Sequence, residues 1–127
     1  MRTLTCKQNI IKGQVAEQAA VDYLVGLGYQ ILARNYRVHR LGELDLIAEL
    51  EGKLTVVEVK ARHRADLYGG LESSITPAKL RRIRRTTSFY LQENRLMHKD
   101  VYILAIFVKI DQWGKSTELS VVPIEWR

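Results

Sequence analysis

The sequence predicts an α/β fold with its elements in the order α-β-β-β-α-β-β. Three observations lead there. Two segments, Gln8 to Gly26 and Thr76 to Asn94, repeat apolar residues at helical spacing. Several short runs, Leu54 to Lys60 the clearest, are rich in β-branched residues and bounded by turn signals. Val101–Ile110 is almost unbroken apolar, the mark of an interior strand covered on both faces. At 127 residues the chain has the length of one domain, spanning residues 1–127.

The first helix places Ile10, Ala16, Ala20, Tyr23, Leu24 and Leu27 on one face, with Gln14, Gln18 and Asp22 on the wet side. At about 100° per residue, Glu17 falls in line with Ile10 and Leu24, inside the apolar stripe. Gly13 lies on that side too and would let another backbone approach. Tyr29–Arg37 follows as a first strand. Gly42–Leu50 and Leu54–Lys60, joined by Glu51-Gly52, read as an antiparallel hairpin. Strand alternation assigns Glu43, Asp45 and Ile47 to one face, and Leu44, Leu46 and Ala48 to the other. On the second arm Val56, Glu58 and Lys60 share a face.

Ala61–Ser74 is a long loop, with Gly69-Gly70 in its middle, suited to clamping a substrate beside the hairpin. The second helix starts at the cap Thr76, with Pro77 where its missing N–H costs nothing. Its inner face is Leu80, Ile83, Thr87, Tyr90 and Leu91, leaving Arg81, Arg82 and Arg85 off it. Asp111–Lys115 is a polar turn and Thr117–Val122 a closing strand.

Glu17, Asp45, Glu58 and Lys60 are polar residues where patterning predicts burial, and buried acids need a partner or a metal. Glu58-x-Lys60 alone is a weak motif, equally a solvated strand-edge pair worth well under about 1 kcal/mol. Asp45 at the same open end of the hairpin, and Glu17 on the preceding helix, turn it into a cluster. Such carboxylates would repel one another without a cation. Mg²⁺ or Mn²⁺ relieves that through oxygen ligands. Asp45 and Glu58 are the first ligands, the Val59 carbonyl a third, and Glu17 holds a water on the ion or a second ion. The ion would activate a water for attack on a phosphodiester. Lys60 would position that water or neutralise the scissile phosphate. Glu43 could support Asp45 or replace it as a ligand.

The net charge of +6 is concentrated. Between Arg62 and Arg85 stand seven cations, Arg62, Arg64, Lys79, Arg81, Arg82, Arg84 and Arg85, against Asp66 and Glu72. A phosphate backbone binds such a run by counterion release. A solvated helix face is the plainer alternative. The nucleic-acid contacts expected are Arg62, Arg64, Lys79, Arg81, Arg82 and Arg85. His39, His63 and His98 lack zinc spacing and read as surface or phosphate-contacting residues. Cys6 is the single cysteine, so no internal disulfide forms. The start Met1–Cys6 lacks a signal peptide's apolar core, and no run is long enough to span a membrane, so a cytoplasmic location is expected.

The chain resembles the YraN-like family of uncharacterised bacterial proteins. The residues that carry the likeness are Lys12-Gly13-x-x-Ala16-Glu17-x-x-Ala20-x-x-Tyr23-Leu24, Gly28-Tyr29-x-Ile31-Leu32-Ala33-Arg34-Asn35-Tyr36-Arg37, Gly42-Glu43-Leu44-Asp45-Leu46-Ile47-Ala48 and Val57-Glu58-Val59-Lys60-x-Arg62. Gly69, Thr76-Pro77-x-Lys79, Tyr90-Leu91 and Asp100 extend it across most of the chain from Lys12 to Ile110. Ala16 departs from the pattern, which has glycine before the helix glutamate, and the strand and tail from Leu119 onward match less well.

The resemblance implies a restriction-endonuclease-like fold, a central mixed five-stranded sheet flanked by helices, most similar to archaeal Holliday-junction resolvases. It places Glu17, Asp45, Glu58 and Lys60 on nuclease positions. It implies a Mg-dependent endonuclease acting on DNA, branched or recombination intermediates included. It also admits a homodimer, since a junction offers two symmetric strands. The alternative is a non-catalytic nucleic-acid-binding or protein-interaction module on the same scaffold, which would keep the basic helix without needing all four site residues.

Overall fold

A computed structural model of the chain describes residues 6–62 and 75–124, with side chains from residue 10 onward. Helix α1 spans Cys6–Gly26. Strands β1 (Gln30–Val38), β2 (Gly42–Leu50) and β3 (Lys53–Arg62) follow, then α2 (Pro77–Glu93), β4 (Val101–Ile110) and β5 (Ser116–Ile124). The order is the one expected, with ends displaced by a few residues. His63, Arg64 and the rest of the expected clamp loop up to Ser74 lie outside the described residues, as does the tail after Ile124.

The sheet order is β1-β2-β3-β4-β5. All neighbours are antiparallel except β3 and β4, which run parallel from Leu54↔Val101 to Arg62↔Lys109. A parallel pair needs a crossover, and α2 supplies it. The two helices lie on opposite faces. On one, Ala16, Ala20 and Leu24 of α1 pack with Leu46, Val57, Ile106, Val108 and Ile110. On the other, Ile83 and Tyr90 of α2 pack with Leu44, Ile47, Val56 and Ile103. This mixed sheet, covered by a helix on each face, is consistent with the restriction-endonuclease-like architecture.

Local chemistry explains the elements. Glu51 and Gly52, both at positive φ (52° and 79°), make the two-residue turn between β2 and β3. Thr76 caps α2 by accepting from the Lys79 N–H at 3.1 Å, with Pro77 at the first helical position. The α1 stripe is narrower than the sequence suggests. Ala16, Ala20 and Leu24 are buried, whereas Ile10, Tyr23 and Leu27 are exposed. The small alanines let the helix sit close to the sheet along one line, leaving its flanks in solvent.

Within β2, strand alternation fails at Leu44. Leu44 packs with Ile47 on the α2 side, not with Leu46, which faces α1. The expected faces of β2 therefore need correction on the Gly42 side of Asp45. β1 shows the same break, because Ala33 and Tyr36, three residues apart, both face α2. The pairing continues across it unchanged, from Ala33↔Ile47 to Tyr36↔Leu44. Asn35, at φ 53°, lies in β1 at the break, opposite Asp45 in β2. Both strands thus bend together, and the bend decides where the Asp45 carboxylate goes.

Candidate active site

Beyond the bend, β2 leaves β3. Their ladder ends at Leu46↔Val57. The Asp45 carboxylate takes over, its Oδ2 accepting the Val59 N–H at 2.8 Å. A side chain thus satisfies an amide that the partner strand has abandoned. The fork opens a cavity of about 410 Å³ lined by Gly42, Glu43, Asp45, Glu58, Val59, Lys60, Lys79, Arg82 and Ile83. Asp45, Glu58 and Lys60 meet there, as the hairpin register predicts.

Glu58 is the central group. Its side chain is 5% exposed, and Oε2 lies 3.2 Å from the Lys79 ammonium. The other oxygen, Oε1, is buried with no hydrogen-bond partner. Burial first, and the nearby Asp45 charge second, push its pKa up to about 7, against the pull of Lys79 and Lys60. Burial also raises Asp45, with Glu43 and Glu17 adding to it, while the Val59 N–H and Lys79 work the other way.

Glu17 stands close enough to Asp45 to repel it but does not line the cavity. Its Oε1 accepts from Arg34 Nε at 3.0 Å and from Asn35 Nδ2 at 3.2 Å. Among the described residues, no three acids, histidines or cysteines stand together as a ready metal cluster. Two carboxylates come together at the fork, and the third is held at its rim by Arg34. Glu43 lines the cavity and pairs with Arg37 at 3.1 Å.

Lys79 and Arg82 face the cavity from α2, while Arg81 and Arg85 are exposed on that helix. Arg62 lies with its guanidinium 4.7 Å from the centre of the Phe107 ring, a packing contact at the end of β3. Sequence reasoning placed Lys79 among phosphate contacts and missed its pairing with Glu58. A signal existed: a lysine in the first turn of a helix opposes the helix dipole and needs an acid nearby. The Arg34 and Asn35 contacts to Glu17 had no such signal.

No described helix is long and apolar enough to cross a membrane. A model of the Uncharacterised protein family UPF0102 matches residues 16–111, a stretch that holds Glu17, Asp45, Glu58, Lys60 and Lys79. A UPF0102 protein of Mycolicibacterium gilvum is 41% identical over 109 residues, covering 85% of this chain and 87% of its own. One from Persephonella marina is 44% identical over 91 residues, covering 72% and 77%. One from Mycobacterium tuberculosis is 38% identical over 123 residues, covering 94% and 95%.

Proposed function

Because the chain belongs to the uncharacterised protein family UPF0102, whose name leaves the chemistry open, we propose that it is a metal-dependent endonuclease cutting phosphodiester bonds in DNA, branched recombination intermediates included. The observation that carries this reading is the bare, buried Oε1 of Glu58 beside Asp45 in an open fork that Lys60, Lys79 and Arg82 also line. An orphaned buried carboxylate oxygen is costly, and a hard cation offsets that cost.

The donor set fits Mg²⁺ or Mn²⁺. Asp45 and Glu58 offer carboxylate oxygens, and the Val59 carbonyl lies on the strand edge that β2 has left. When bound, the ion supplies an activated water and stabilises charge at phosphorus. The chain's own groups do the rest. Lys60, on the same face as Glu58, neutralises the scissile phosphate and orients the nucleophile. Arg82 and Lys79 hold the flanking backbone against α2. Arg34 and Asn35 fix the Glu17 carboxylate at the rim beside Asp45.

The test is a panel of labelled duplex, flap, four-way junction and single-stranded substrates with Mg²⁺ or Mn²⁺. Wild type should cut at least one of them. Asp45→Asn keeps size and an oxygen for the Val59 N–H, so it should stop cleavage yet bind nucleic acid as well as wild type or better. Lys60→Ala should lose cleavage and retain metal. The Lys79–Glu58 pair favours one competing reading, a binding module in which the lysine replaces the ion. Wild type that binds every substrate and cuts none would establish that reading instead.

A further inference from the structure

Next to the fork lies a second concavity, of about 420 Å³, between the tip of the β1–β2 hairpin and α2. It shares Gly42, Glu43 and Arg82 with the first, so the two lie side by side. We propose that this concavity is a second phosphate-binding groove, holding the nucleic-acid backbone as it leaves the scissile bond. The inference rests on the nucleic-acid reading above and adds where the strand runs.

Charge and shape support it. Three guanidinium groups, Arg37, Arg40 and Arg82, line the groove with His39, against the single carboxylate of Glu43. Glu43 is already neutralised by Arg37 at 3.1 Å. Among the described residues, Arg40 and Arg82 have no carboxylate partner. Two unpaired guanidiniums across a groove suit the bidentate recognition of phosphate.

The wall is also fixed in place. A Cβ at Gly42 would come within 2.8 Å of Thr86 Oγ1, so only glycine lets the hairpin lie this close to α2. Arg40 sits at φ 63° in the tip. That backbone is held by the turn rather than by the side chain, which is free to face a ligand.

Arg40→Asn and Arg40→Asp test the groove, because Asn and Asp tolerate this positive φ and keep the turn. Arg95→Asp is the control. Arg95 is also exposed at positive φ (55°), but it lies past the far end of α2. Binding of a short labelled DNA duplex would be followed by anisotropy in EDTA, from about 50 to 200 mM salt. Arg40→Asn should weaken binding several-fold and lower the salt slope by about one phosphate's worth, with Arg40→Asp weaker still. Arg95→Asp should bind as wild type does. Arg40 variants that match wild type, or an equal loss in Arg95→Asp, would overturn the groove and leave the nuclease reading standing. Wild type that binds no nucleic acid at the lower salt would remove both.

Discussion

Glu58 holds its proton up to about pH 7, whereas an ordinary glutamate releases it near 4.5. Between those values the folded protein keeps a proton that the unfolded chain has lost. The contribution of Glu58 is therefore complete below about 4.5 and disappears as pH rises through about 7. Asp45 is shifted in the same direction. Metal-free protein should melt several degrees lower at pH 8 than at pH 5, and Glu58→Gln should flatten that slope. A melting temperature rising across this window would mean that the Lys79 pair outweighs burial. Lys79 also competes with any divalent ion for Glu58. Well above pH 7, Lys79→Met should tighten Mn²⁺ binding about fivefold, from a pair worth on the order of 1 kcal/mol. Unchanged or weaker Mn²⁺ affinity in titration calorimetry would show that the lysine does not occupy the ion's place.

At the scale of elements, the β1–β2 ribbon has to bend at Asn35 and Asp45 and then lie flat on α2. Gly42 makes the second step possible. Gly42→Ala drives a methyl toward Thr86 Oγ1, whose hydroxyl donates to the Arg82 carbonyl at 2.7 Å, so little can give way. We expect a loss of about 1–3 kcal/mol in chemical denaturation. Adding Thr86→Ala should recover part of it, because the clashing oxygen is gone; strict additivity of the two losses would contradict the contact. The bend marks what the sequence could not reveal. The hairpin, its register and the meeting of Asp45, Glu58 and Lys60 follow from period-two patterning and a Glu-Gly turn. The reversal of Leu44 does not, since a matched irregularity in two strands leaves both apolar patterns plausible. On α1 the periodicity correctly put Ala16, Ala20 and Leu24 inside. It could not tell how narrow the contact would be, because that depends on how closely two alanines let the helix approach. The Lys79–Glu58 pair left only half a signal: a lysine in the first turn of α2 calls for an acid, but which acid is decided by tertiary placement.

Over the whole molecule, the charge pattern sets a conflict that a cation resolves. Helix α2 carries Lys79, Arg81, Arg82, Arg84 and Arg85 with no acid before Glu93, and it lies beside a fork holding Asp45 and Glu58. The helix attracts a phosphate backbone over distances of about a Debye length, while the fork repels it at contact. Nucleic-acid affinity should therefore fall steeply with salt and rise when the fork is neutralised. Ca²⁺, a hard oxygen-seeking ion offered in place of Mg²⁺, makes the second effect measurable at constant ionic strength. Binding of duplex or junction DNA should tighten several-fold with Ca²⁺ in wild type. It should be tight without Ca²⁺, and insensitive to it, in the double variant Asp45→Asn/Glu58→Gln. Replacing Arg81, Arg82 and Arg85 with Ala should weaken binding to every sequence alike and flatten the salt slope by up to about three phosphates' worth, leaving the Ca²⁺ response in place. A Ca²⁺ effect that survives in the double variant would put the ion elsewhere, and an unchanged salt slope in the triple variant would put the backbone on another face of the molecule.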